Sequence, residues 1–236
     1  MSIQLPVSKA FETPEALSEA LATRIAEQLQ AAIDSRGKAS LVVSGGRTPI
    51  GLFEKLRKAR IQWGDVYITL ADERWVDVSD DASNEKLVKA HLLKDAAAAA
   101  HFRGLKTPHA RAEEGVAMAS DWLSNLPSPF DVVVLGMGND GHTASLFPCS
   151  AELAEGLDPA NPARLLAVQP TTAPHQRISL TLPAILNSRQ IYLHLQGPEK
   201  AQVLAEAASS DDVTAMPIRA VLAQKGTPVD IYLSQR

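Results

Sequence analysis

Residues 131–135 form a short, apolar, β-branched run bounded by turn residues, and Gly136-Met-Gly-Asn-Asp-Gly-His-Thr143 follows it at once. A run without polar alternation suits a strand covered on both faces, as in a parallel sheet with helices on either side. In such sheets ligands gather beyond the carboxyl ends of the strands. Gly136, Gly138 and Gly141 let the backbone turn tightly and admit a ligand, while Asp140 and His142 stand one residue apart beyond the bend. This turn is the expected reaction centre.

The rest of the chain repeats the strand-then-helix alternation. Thr13, Pro14 and Glu15 are a helix-start signal, and Leu17, Leu21, Ile25, Leu29 and Ile33 recur every four residues until Gly37. Strands are predicted at residues 41–43, 66–70, 165–168, 178–182, 191–195 and 229–233. Helices are predicted through Leu52, Phe53 and Leu56, from Ser83 or Asn84 through Leu92, over 110–126, after Gly197 and over 217–223. Strand 178–182 alternates as a half-buried one should, and alanines 96–100 read as a helix end or surface connection. Strands alternating with helices from end to end imply an α/β fold, a mostly parallel sheet between two helical layers.

A chain of 236 residues in such an architecture is expected to be one domain, 1–236, around one core. Net charge is −4 with both signs dispersed, so there is no basic footprint for nucleic acid. The single cysteine, Cys149, allows no internal disulfide and suits a reducing compartment. No signal peptide and no membrane-spanning run is expected, which makes cytoplasmic residence the expectation. His91, His101 and His109 read as surface residues.

Three further stretches can carry chemistry. Ser44, Gly45, Gly46, Arg47 and Thr48 lie between a strand and a helix start, where free backbone N–H groups and the dipole attract phosphate. The spacing is not that of a Walker A loop, and a plain tight turn also explains the glycines. Asp72, Glu73 and Arg74 leave the carboxyl end of a strand, either as functional groups or as a surface salt-bridge cluster. Lys200 falls in the first turn of a helix, where a cation opposes the dipole, an arrangement that favours a nearby anion. Gly136, Gly138 and Gly141 also satisfy GxGxxG. A dinucleotide fingerprint would open a long helix, however, and here Pro148 intervenes while the position for the ribose-binding acid falls in a loop near Asp158.

The stretch Gly136-Met-Gly-Asn-Asp-Gly-His-Thr-Ala-Ser-Leu-Phe-Pro148 resembles the signature of the 6-phosphogluconolactonase family, whose relatives include glucosamine-6-phosphate deaminase. The resemblance extends to Ser44-Gly-Gly-Arg-Thr-Pro49, Ala71-Asp-Glu-Arg74, Asp81-Ala-Ser-Asn84, Gln176-Arg-Ile-Ser-Leu-Thr-Leu-Pro183 and Gly197-Pro-Glu-Lys200, in the family's order. It implies a three-layer αβα fold with the Rossmann-like sheet of the sugar-phosphate isomerase/deaminase type. The implied activity is hydrolysis of 6-phospho-D-glucono-1,5-lactone in the pentose phosphate pathway. A monomer is expected, and, with no HExxH or comparable ligand spacing, no metal and no cofactor are expected either. Its implied site residues are His142, Asp140 and Arg74 for the chemistry, and Ser44, Gly45, Gly46, Arg47, Thr48, Asp72, Arg177 and Lys200 for the phosphosugar. Many relatives place a lysine in the loop before Arg177, whereas here that loop holds only His175, which either substitutes for the cation or leaves the site without it.

Lactone hydrolysis needs an activated water, a place for the oxyanion and a proton for the departing ring oxygen. An imidazole with a pKa of about 6.5 serves the first and third needs, which assigns His142 as base and then acid. Asp140 would orient the ring or hold its charged form. Arg74, with loop N–H groups as rivals, would face the oxyanion. Arg177 offers a planar fork and Lys200 a compact charge for the phosphate. A deaminase would typically carry an acid just after the shared Asp-Gly-His, and residues 143–148 contain none. A non-catalytic sugar-phosphate sensor would bring a DNA-binding segment, and no basic recognition helix precedes residue 14.

Overall fold

The computed structural model describes residues 2–236. In chain order the elements are β1 (Val7–Phe11), α1 (Pro14–Arg36), β2 (Ala39–Val43), α2 (Ile50–Leu56), β3 (Val66–Leu70), β4 (Asp72–Arg74), α3 (Asn84–His91), β5 (His101–Phe102), α4 (Ala112–Ser124) and β6 (Val132–Leu135). There follow α5 (Leu153–Leu157), β7 (Leu165–Val168), β8 (Arg177–Leu180), α6 (Leu182–Leu186), β9 (Ile191–Gln196), α7 (Pro198–Ala208), α8 (Ile218–Ala223) and β10 (Val229–Ser234). A seven-stranded parallel sheet runs β1-β10-β9-β6-β2-β3-β5 between helical layers. From β2 the chain moves outward through β3 and β5, then returns to β6 on the other side of β2. The strand order therefore reverses between β2 and β6, and the crevice at such a switch point is where ligands bind in open α/β sheets. The glycine loops that follow these two strands both open there.

Local chemistry sets the elements. Thr13 caps α1 by accepting a hydrogen bond from the Ala16 N–H, Pro14 fills the first position, and Gly37 closes the helix at φ 77 with its N–H on the Ile33 carbonyl. The stripe Leu17, Leu21, Ile25 and Leu29 is fully buried, and each such side chain stabilises the packed state by about 1.5–3 kcal/mol relative to exposure. All of β2 and β6 is buried, in keeping with coverage on both faces. No helix among the described residues is long and apolar enough to cross a membrane.

Alternation from end to end does not put every strand in the parallel sheet. β4, β8 and β7 form a separate antiparallel sheet. The chain changes sheet at Ala71, whose N–H donates to the Val43 carbonyl of β2 and whose carbonyl accepts from the Leu180 N–H of β8. The small sheet is thus fastened over the carboxyl ends of β2 and β3. Its β8 is not half-exposed. Arg177, Ile178, Ser179 and Leu180 are all buried, because the polar positions of the alternation face an internal hydrogen-bond network instead of water, and Leu182 already opens α6 behind the capping hydroxyl of Thr181. Residues 95–99 form a 3₁₀ turn with Ala97 buried.

Candidate active site

A cavity of about 230 Å³ opens at the switch point, walled by the loops after β2 and β6, by the end of β9 and by the small sheet. The turn after β6 is closed by hydrogen bonds from Gly138 N–H to the His142 carbonyl (2.8 Å) and from Gly141 N–H to the Gly138 carbonyl (3.1 Å). Gly141 sits at φ 75. A Cβ on Gly138 would lie 2.1 Å from His142 Nδ1, so only glycine leaves room for the ring. Asp140 Oδ1 accepts from both His142 Nδ1 (2.6 Å) and the His142 backbone N–H (3.1 Å). This grip places the neutral ring's proton on Nδ1 and leaves Nε2 as the basic nitrogen. Burial works to raise the Asp140 carboxyl, but the hydrogen bonds and charge of His142 hold it below its ordinary value. The imidazole also stacks on Phe147 at 4.1 Å. His142 lines the cavity, while Asp140 stands behind it.

On the small sheet, Arg74 of β4 and Arg177 of β8 are register partners on one face. Like charges placed directly opposite are destabilising. Each guanidinium has only partial compensation: Arg74 donates to the Ala82 carbonyl (2.7 Å), and Arg177 donates to the Pro174 carbonyl (3.1 Å) and lies 3.9 Å from Asp72. The Nε atoms of both are buried without a partner. Burial pushes the Arg177 guanidinium down, with Asp72 opposing the shift and Arg74 adding to it. Two arginines held this way, both lining the cavity, suit an anionic ligand. Asp72 is itself held by the Ser145 hydroxyl at 2.5 Å.

The other sequence-predicted residues divide. Ser44, Gly45, Gly46 and Thr48 line the cavity, with Gly46 at φ 92, but the Ser44 hydroxyl donates to the Val134 carbonyl (3.0 Å) and stitches the β2 loop to β6. The helix after this loop starts only at Ile50 and has seven residues, so its dipole is small. Arg47 is exposed and does not line the cavity. Lys200 lines it, with Nζ donating to Asn139 Oδ1, while Asn139 Nδ2 donates to Glu199 (2.6 Å). Burial lowers the Lys200 ammonium pKa, and Glu199 and Asp140 act against that. His175 is exposed at φ 68 and is no part of the wall. Among the described residues no group of three or more His, Cys, Asp and Glu side chains is placed to hold a metal ion.

Three residues have roles that sequence reasoning did not reach. Glu73 is fully buried and forms no surface salt-bridge cluster. It accepts backbone N–H bonds from Arg74, Asn84 and Glu85 (2.7, 2.7 and 2.8 Å) and so ties β4 to the start of α3, while burial pushes its carboxyl up to about 7. Asn84 does more than begin α3: its buried side chain donates to the Asp72 carbonyl (2.8 Å) and fills the space where a Cβ on Gly45 would be. His194 lies inside the apolar pattern of β9, where a single imidazole could have been marked as an exception.

Burial lowers the His194 pKa from 6.5 to about 4. The folded chain therefore leaves this ring unprotonated where the unfolded chain takes up a proton. Stability contributed by the neutral ring is present above pH 6.5 and is lost as pH falls toward 4, by up to about 3 kcal/mol at about 1.4 kcal/mol per unit. Denaturant unfolding at pH 7 and pH 4.5 should show a smaller acid-induced loss in His194→Leu than in the parent. Equal losses would mean that the ring does not titrate this way.

Residues 12–229 match the family described as glucosamine-6-phosphate isomerases/6-phosphogluconolactonase. A 6-phosphogluconolactonase of Rhizobium meliloti is 45% identical over 222 residues, covering 94% of this chain and 96% of the relative. One from Pseudomonas putida is 44% identical over 233 residues, covering 98% and 95%. A crystal structure of a 6-phosphogluconolactonase from Shewanella baltica superposes with a TM-score of 0.97 at 61% identity, covering 99% of this chain and 100% of that one.

Proposed function

The chain belongs to the glucosamine-6-phosphate isomerase/6-phosphogluconolactonase family and is a lactone hydrolase within it, and we propose that it converts 6-phospho-D-glucono-1,5-lactone to 6-phospho-D-gluconate through a water activated by His142. The observation that carries this reading is the convergence on one cavity of the His142 ring, oriented by Asp140, and the in-register pair Arg74 and Arg177. One supplies a base and the other positive charge, and both are needed for an anionic ester.

In this mechanism His142 Nε2 takes a proton from water as its oxygen attacks the lactone carbonyl carbon. The carbonyl electrons move to oxygen, which Arg74 faces. As the tetrahedral intermediate collapses, the bond to the ring oxygen breaks and the imidazolium returns the proton to it. Arg177, Lys200 and the backbone of Gly45, Gly46 and Thr48 hold the 6-phosphate, so that binding energy from the remote end places the reacting carbon. Arg47 is left out of this cradle because it does not reach the wall. The absence of an acid in residues 143–148 supports hydrolysis over ring opening and deamination.

The test is a coupled assay with freshly generated lactone at a pH where its spontaneous decay is slow, set beside glucosamine 6-phosphate. The expected result is acid release well above background and no ammonia. Ammonia release without lactone hydrolysis would overturn the proposal.

A further inference from the structure

We infer that Asn139 is a positioning residue for the phosphate end of the site, an inference that rests on the functional reading above. Its amide is a neutral spacer that holds the Lys200 ammonium at the cavity and keeps it from the neighbouring Glu199 carboxylate. Asn139 is the second residue of the tight turn 138–141, which is closed by the Gly141 N–H on the Gly138 carbonyl. From there its exposed side chain reaches the start of α7, where Oδ1 accepts from Lys200 Nζ and Nδ2 donates to Glu199 Oε1 (2.6 Å). Lys200 is half-buried and lines the cavity, whereas Glu199 is exposed and, like Asn139, stands outside the wall.

The two partners fix which way the amide points. An ammonium only donates and a carboxylate only accepts, so a group that meets both must offer one acceptor and one donor, as a primary amide does. Glu199 suits the first turn of α7 because an acid there complements the helix dipole, while Lys200 opposes it. A direct ion pair would relieve that opposition and consume the charge. Both heads meet on the amide instead, which leaves the ammonium its full charge and two further N–H donors. Burial lowers the Lys200 pKa, and Glu199 and Asp140 draw it the other way. With two acids already near, a third at position 139 would cancel the charge that the substrate's phosphate needs. The same turn carries Asp140, which orients His142. Adjacent side chains at one tip therefore place the cation for the phosphate and the base for the lactone.

The experiment compares the parent with Asn139→Ala and Asn139→Asp on the phosphorylated lactone and on unphosphorylated gluconolactone. Asn139→Asp keeps the shape of the side chain and an acceptor for Lys200, so it would be the milder change if Asn139 only fastened the turn to α7. A neutral spacer reverses that order. Asn139→Asp should raise KM for the phosphorylated lactone about tenfold and Asn139→Ala about threefold, with kcat and the KM for gluconolactone within about twofold in both. An aspartate variant equal to or better than the alanine variant, or equal losses on the two substrates, would overturn the inference. A second measurement is independent of turnover. In the ¹⁵N-lysine-labelled protein, the Lys200 ammonium resonance should move on addition of inorganic phosphate, and at the same concentration it should move much less in Asn139→Asp. A parent resonance indifferent to phosphate would be incompatible with the assigned role. A parent whose resonance responds but which hydrolyses no lactone would instead overturn the functional reading and leave the placement of the cation intact.

Discussion

Replacing His142 by alanine should reduce enzymatic lactone hydrolysis by at least about a hundredfold while phosphosugar binding stays nearly intact. The size of the effect follows from the two proton transfers assigned to one ring. Without it, water attacks unaided and the ring oxygen leaves without a donor, so only placement and charge stabilisation remain. Binding is spared because the arginine pair belongs to the other sheet, and the backbone of residues 138–142 is held by its own hydrogen bonds and by Ile218, whose N–H donates to the Gly141 carbonyl. The imidazole side chain is 29% exposed, so its removal opens no deep core cavity. The coupled assay, corrected for spontaneous hydrolysis, gives the rate, and calorimetry with 6-phosphogluconate gives the binding. A variant as active as the parent would remove His142 from the mechanism.

How much of this could be read from the chain depends on how far apart the interacting residues lie. The helix α1 was legible down to its caps, because Thr13, Pro14 and Gly37 act on backbone groups within four residues. The five inner strands of the parallel sheet were legible too, since strands such as β6 show their two-sided burial in their own composition, but its two edges were not predicted, because β1 is largely exposed and β5 is two residues long. The small sheet was not. Its strand β4 is three residues long and pairs with β8 across more than 100 positions, and nothing local announces the change of sheet at Ala71. The same distance hid the central electrostatic fact of the site, that Arg74 and Arg177 are direct neighbours. Sequence placed each near a strand terminus and assigned them to opposite ends of the substrate. The roles of Glu73 and Asn84 were obscured for a related reason, since both contact backbone that arrives from another element.

Replacing Arg177 by alanine should raise KM for the phosphorylated lactone by about ten- to a hundredfold, leave kcat within a few-fold, and remove the preference for that substrate over unphosphorylated gluconolactone. The charge-assisted bonds at stake are worth about 1.5–3 kcal/mol, and they act on a phosphate that is the same in ground and transition states, so the loss should appear in KM. Arg177 also touches the fold. It lies 3.9 Å from Asp72 and its guanidinium is 5.4 Å from the Phe147 ring, so the alanine variant should also have a lower Tm, and Arg177→Lys should recover part of the Tm without the bidentate fork. Because Arg74 sits directly opposite, its alanine variant is the informative partner. If Arg74 faces the oxyanion, its loss should lower kcat where the loss of Arg177 raises KM. Unchanged substrate preference in Arg177→Ala would remove it as the phosphate anchor. Matching losses of kcat and KM in the two variants would mean that both arginines clamp one anion, and the oxyanion would then have to be met by backbone N–H groups of the turn around Gly138.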